Sequence, residues 1–181
     1  MIGKILPALL GLCFFTAASA VELRDPGSYF FDETFGDMTE EIENARDDEK
    51  TAILIMFEMD ECPYCHRMKN TVLNRSDVQD FFKEHFLILS MDVEGDLEMT
   101  DFSGETTVQK DFALKQFRVR ATPVFQFIDL EGNPIKRARF TGATGTPEEF
   151  LLLGQYVIDK EYEKMSFTKY KREKMGEENN S

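Results

Sequence analysis

Six consecutive apolar residues, Ala52-Ile53-Leu54-Ile55-Met56-Phe57, constrain the fold most. A strand that alternates apolar and polar residues has one wet face, whereas a strand apolar at nearly every position must be covered on both. The run therefore predicts a central strand over residues 51–57, in a sheet with helices on each side. It leads almost directly into Cys62-Pro63-Tyr64-Cys65. A C-x-x-C where a strand enters a helix is a dithiol that can open and close as a disulfide, because one helical turn brings the sulfurs together.

The first twenty residues read as a secretory signal. Lys4 supplies the positive start, the following stretch is apolar, and Ala18-Ser19-Ala20 offers a small-residue cleavage pattern. Leu12 before Cys13 is too large for a lipoprotein signal, so Cys13 is expected to leave with this segment. Cys62 and Cys65 are then the cysteines of the mature form. No later stretch approaches the roughly 20 apolar residues that a membrane span needs, so no stable membrane insertion is expected. A formal net charge of −13 argues against nucleic acid or an anionic membrane as partner. Export favours disulfides, but a C-x-x-C loop is too short to constrain the unfolded chain much, which makes the pair chemical rather than structural.

Along the mature chain, residues 21–37 form an N-terminal extension that docks through Tyr29, Phe30 and Phe31. Residues 38–50 are a helix candidate with Thr39 as N-cap, followed by the 51–57 strand and a helix through residue 73. Ser76 is the expected cap of another helix carrying Val78, Phe81 and Phe82, and residues 86–93 are the next strand. Residues 94–109 are polar, acidic and glycine-containing, and a short helix follows near 110–117. Residues 124–130 and 135–140 pair as a hairpin around Glu131-Gly132-Asn133. Thr146 caps the last helix with Pro147 at its first position. The basic cluster of Lys169, Lys171, Arg172 and Lys174 reads as a frayed tail over 166–181, which bounds the main domain at 38–165.

At a helix N-terminus the unpaired N–H groups and the helix dipole favour a thiolate over a thiol. Cys62 is therefore the expected attacking sulfur and Cys65, three residues on, the resolving one. Pro63 fits the first helical turn, where its missing N–H costs nothing. Tyr64, on the turn between the cysteines, is a candidate substrate contact.

The strand, the Cys62-Pro63-Tyr64-Cys65 motif and Thr122-Pro123 ahead of Val124-Phe125-Gln126-Phe127 together resemble the thioredoxin superfamily. The resemblance implies an α/β thioredoxin fold, a central mixed β-sheet flanked by helices on both faces. It implies that Pro123 is cis and lies against the disulfide, with the Thr122 backbone free to pair with a bound substrate. Within the superfamily the chain is similar to SoxW-type periplasmic thioredoxins of the sulfur-oxidation system, through Met56-Phe57-Glu58 and the insert from Gly95-Asp96 to Thr100-Asp101-Phe102-Ser103-Gly104-Glu105. That likeness implies a reductant which takes electrons from a membrane thiol transporter and gives them to a protein disulfide. With the signal segment removed, a monomer in the periplasm, or secreted, is expected. No metal or organic cofactor is implied.

One position departs from the pattern, because reductants of this fold usually hold a buried acid six residues before the first cysteine, where this chain has Met56. Glu58 and Asp60 are the nearest acids in sequence for proton transfer. His66, at i+4 from Cys62, is a candidate for stabilising its thiolate. Alternatives stay open. The Pro-Tyr pair is shared with many glutaredoxins, and oxidants and isomerases use the same fold. Cys62-Pro63-Tyr64-Cys65-His66 also satisfies the C-x-x-C-H haem-attachment pattern, against which stand the buried strand and Thr122-Pro123. One C-x-x-C supplies only two of the ligands a zinc site needs. A non-catalytic peptide-holding module is the remaining reading.

Overall fold

The computed structural model describes residues 21–178. The expected signal segment, with Cys13, lies outside the described residues. Strand β1 (Ala52–Glu58) is central as its composition requires, and residues 52–57 are all buried. It pairs in parallel with β2 (Phe86–Asp92) and antiparallel with β5 (Val124–Ile128), which in turn carries the short β6 (Phe140–Thr141). The sheet order is β2-β1-β5-β6.

The period of two along β1 divides the core. Leu54 and Met56 face a cluster built with helices α3 (Pro63–Thr71), α4 (Ser76–His85) and α6 (Pro147–Ile158). Ile53, Ile55 and Phe57 face a second cluster, with α2 (Met38–Asp47) and the segment that ends in Phe112, Ala113 and Phe117. In the first cluster Phe82 stacks on Phe150 with ring centroids 4.4 Å apart, and Phe125 meets Phe150 edge-on at 4.9 Å. The N-terminal extension carries a single turn, α1 (Pro26–Tyr29), and sends Phe30 fully into this cluster, 5.8 Å from Phe82.

Several local features differ from the sequence expectations. Helix α2 is capped by Asp37, whose carboxylate accepts from the Thr39 and Glu40 N–H groups, so Thr39 is a helical residue and not the cap. Ser76 is likewise the first residue of α4. Its N–H donates to the Glu22 carbonyl and its hydroxyl accepts from the Glu22 N–H, so it ties down the N-terminal extension. The expected 135–140 strand is mostly a 3₁₀ turn (Lys136–Ala138), and the strand that pairs with β5 is β6, further on. Pro134 still bridges to Ile128, with the Asp129 N–H donating to the Asn133 carbonyl and the Ile135 N–H to the Phe127 carbonyl, before the chain turns away at Lys136. Asp129 also gathers the preceding turn by accepting from the Glu131 and Asn133 N–H groups.

The tail expected to fray forms helix α7 (Phe167–Glu178). Phe167 and Tyr170 pack on Tyr156 with centroids 5.5 and 5.3 Å away, and Lys171 pairs with Glu149 at 2.6 Å. Two aromatic positions among many charges leave almost no periodic signal, although those two rings decide the docking.

The 94–109 segment is a built part of the fold rather than an appended loop. It contains the ribbon of β3 (Glu98–Thr100) and β4 (Thr106–Val108), and Met99 enters the second core cluster. The Thr100 N–H donates to the Gly36 carbonyl at 2.8 Å. The buried Asp101 organises the ribbon turn, accepting from the Ser103 N–H and hydroxyl at 2.8 and 2.7 Å and from the Glu105 N–H at 3.0 Å. Gly104 supplies the left-handed conformation that this turn needs, at φ +83°.

Burial pushes the Asp101 carboxyl up, but its hydrogen bonds to Ser103, Glu105 and Gln116 outweigh that and hold it below its ordinary value. A carboxyl that titrates lower in the folded than in the unfolded chain contributes stability above about pH 4, and this is lost as pH falls through the folded value. Asp101→Asn is therefore expected to be less stable than the parent at pH 7, with the gap narrowing between pH 4 and pH 2. Urea unfolding midpoints across that range check this, and a gap that does not vary with pH would contradict it.

Candidate active site

Strand β1 ends at Glu58, and residues 59–61 turn the chain into α3. Cys62 is the N-cap of that helix in extended conformation, with Pro63 at the first helical position. Its Sγ accepts the Cys65 N–H at 3.0 Å and is joined to Cys65 as a disulfide. Both sulfurs are nearly enclosed, yet they differ in access. Cys62 and Cys65 are 2% and 1% exposed, and only Cys62 lines a groove of about 700 Å³.

The groove lies between the C-x-x-C turn and the segment before β5. Met59, Pro63 and Tyr64 form one wall, while Ala113, Leu114 and Val119 form the other, with Thr122 at the edge. The Thr122–Pro123 bond is cis, and Pro123 is buried. Tyr64 and Leu114 are 59% and 53% exposed, so two large side chains stand unpacked at the groove mouth. Charges edge it at Glu61, Glu94, Asp111, Lys110 and Arg120, with Lys110 paired to Asp96.

The structure brings Cys62, Cys65, Pro63, Tyr64 and Thr122 to one place, with Pro123 next in the chain. The three candidates for tuning or proton transfer are engaged elsewhere. Glu58 pairs with Lys69 at 2.7 Å and accepts from the Ser90 hydroxyl at 2.5 Å, so both its oxygens have partners. His66 is exposed and its Nε2 donates to the Asp60 carbonyl at 2.8 Å, which braces the loop before Cys62. The Asp60 side chain is exposed. Met56 is fully buried in the cluster that holds both cysteines.

The sequence reading missed the second wall. Ala113, Leu114 and Val119 belong to α5 (Gln109–Asp111), a wide π-helical turn (Phe112–Gln116) and the chain beyond it. Leu114 looks like any apolar helical residue in the sequence. Only the π turn shows that it is directed to the groove rather than the core.

A mixed sheet between two helical layers, with a C-x-x-C disulfide at a helix start and a cis-proline at the groove edge, defines a thioredoxin-fold dithiol protein. Residues 38–158 match the family model of the Thioredoxin-like domain, and the chain belongs to that family. The disulfide bond reductase DsbH of Chlamydia pneumoniae is 30% identical over 107 residues, which cover 59% of this chain and 62% of that one, less than two thirds of its length. Among solved structures, a thioredoxin-fold protein from Helicobacter pylori is similar with a TM-score of 0.58 at 22% identity, covering 74% of this chain and 88% of that chain. A thioredoxin from Thermus thermophilus matches with a TM-score of 0.52 at 21% identity, over 70% of this chain and 86% of its own. These two likenesses are likenesses of fold.

Proposed function

We propose that this protein is an exported thiol–disulfide oxidoreductase that reduces disulfides in other proteins. The observation that carries the reading is the unequal access of the two sulfurs, with Cys62 at the groove and Cys65 behind it. In the reduced form the Cys62 thiolate attacks a substrate disulfide, forms one S–S bond and breaks another, and expels a substrate thiolate. The Cys65 thiolate then attacks Cys62 Sγ, which releases the second substrate thiolate and regenerates the Cys62–Cys65 disulfide. Two electrons pass to the substrate. The helix N-terminus stabilises charge on Cys62 through the Cys65 N–H and the dipole.

Pro63 and Tyr64 on one side and Thr122 with Pro123 on the other would hold the substrate chain across the groove. With Met56 below the pair and both Glu58 oxygens engaged, water is the proton carrier for Cys65. His66 acts through the loop, by fixing the Asp60 carbonyl.

The reductive direction draws support from the relative named as a disulfide bond reductase. A membrane thiol transporter is the proposed electron donor, since an exported reductant must be recharged from outside its compartment. The SoxW-type assignment rests on the sequence likeness at residues 56–58 and 95–105. The reduction potential of the Cys62–Cys65 pair, equilibrated against dithiothreitol or glutathione buffers, tests the reading. A value near about −270 mV or below is expected, and one near about −120 mV would make the protein an oxidant.

A further inference from the structure

A second concavity, of about 410 Å³, shares no residue with the cysteine groove. It lies between the end of the π turn, β5 and the 134–139 segment, and Arg118, Lys136 and Arg139 line it beside Gln116, Phe117 and Gln126. We propose that this pocket binds the oxyanion group, carboxylate or phosphate, of a small molecule.

The pocket's charge is opposite to that of the chain. Acids outnumber Lys and Arg by 34 to 21 in this chain, so a random concave patch would be acidic. This one is lined by three cations and no acid, and among the described residues none of the three makes an ion pair. Arg118 and Lys136 are exposed and Arg139 half-buried, so the three present like charge to one concavity, which a bound anion would offset.

Backbone conformation sets where Arg118 stands. Arg118 ends the π turn in the left-handed region at φ +52°, with its N–H on the Leu114 carbonyl and the Val119 N–H on the Ala113 carbonyl. Glu49 and Lys160 take the same left-handed conformation after other helices, so the turn serves here to place Arg118 rather than to mark a site. The chain places an arginine in that position, where it lines the pocket.

Placement of the third cation completes the site. Arg139 donates through Nη1 to the Phe117 carbonyl at 2.7 Å, which fixes the guanidinium beside the Arg118 turn and uses one of its five N–H groups. Arg139 is half-buried, which pushes its pKa down and makes an ion pair there stronger than at an open surface. Gln126 contributes packing, since its amide nitrogen is spent on the Phe127 and Ile135 carbonyls.

The test is an amide NMR titration of the oxidised mature protein with sodium phosphate and, separately, with succinate, at ionic strength held constant with sodium chloride. Saturable shifts centred on Arg118, Val119, Lys136 and Arg139 are expected with at least one anion, and the tighter of the two identifies the phosphate or the carboxylate source. Arg118→Gly suits the left-handed turn, so it removes the charge without threatening the fold. It is expected to weaken binding about tenfold, as is Lys136→Ala. Shifts with neither anion that saturate, or unchanged affinity in both variants, would overturn the proposal.

Discussion

Cys65→Ser is expected to stop turnover while accumulating a covalent adduct between Cys62 and the substrate. The first exchange needs only the sulfur that lines the groove, so it proceeds in this variant. The second needs a thiolate at position 65, and a serine hydroxyl cannot supply one at neutral pH. Cys62→Ser is expected to reduce disulfides at the uncatalysed rate and to trap nothing, because Cys65 does not line the groove. Reduction of a model protein disulfide, followed by intact mass of the non-reduced mixture, reads both outcomes. An adduct on Cys65 in the Cys62→Ser variant would reverse the assignment of roles.

Phe150→Ala is expected to produce the largest loss of stability among single core changes, about 3 to 5 kcal/mol. The ring is fully buried and touches three others, stacking on Phe82 and packing against Phe125 and Phe30. Truncation removes those contacts and leaves a void that four elements cannot close together. Against a typical total of about 5 to 15 kcal/mol, such a loss leaves a protein near its folding limit. Phe150→Leu, which keeps most of the volume, provides a folded comparison at a smaller expected loss, and urea unfolding of both gives the difference. A loss below about 1 kcal/mol for Phe150→Ala would mean that the cluster repacks.

The parts of this structure that sequence reasoning reached are those written in short, contiguous patterns. An unbroken apolar strand declares that both of its faces are covered, and a C-x-x-C directly after it declares where a helix begins. Thr146-Pro147 marks the start of α6, where the Thr146 hydroxyl accepts the Glu149 N–H. What escaped depends on partners distant in the chain. Ser76 looks like a cap until the 21–37 segment is seen paired with it. Residues 135–140 read as one strand, but the ladder that Pro134 and Ile135 begin is interrupted by the 3₁₀ turn at Lys136–Ala138 and resumes only at Phe140 and Thr141. Helix α7 is held by Phe167 and Tyr170 meeting Tyr156, a contact invisible to a periodicity argument dominated by lysines. The far groove wall was missed for the same reason, since a π turn has no composition of its own.

Phe30 and Tyr170 lie outside the 38–158 span that matches the family model, yet both are inside the first core cluster. The span that matches the family model is therefore smaller than the unit that packs together. For anyone expressing this protein, the practical boundary is set by those two rings. A fragment cloned from Met38 to Ile158 would carry every redox residue and still open its aromatic core to water at both ends.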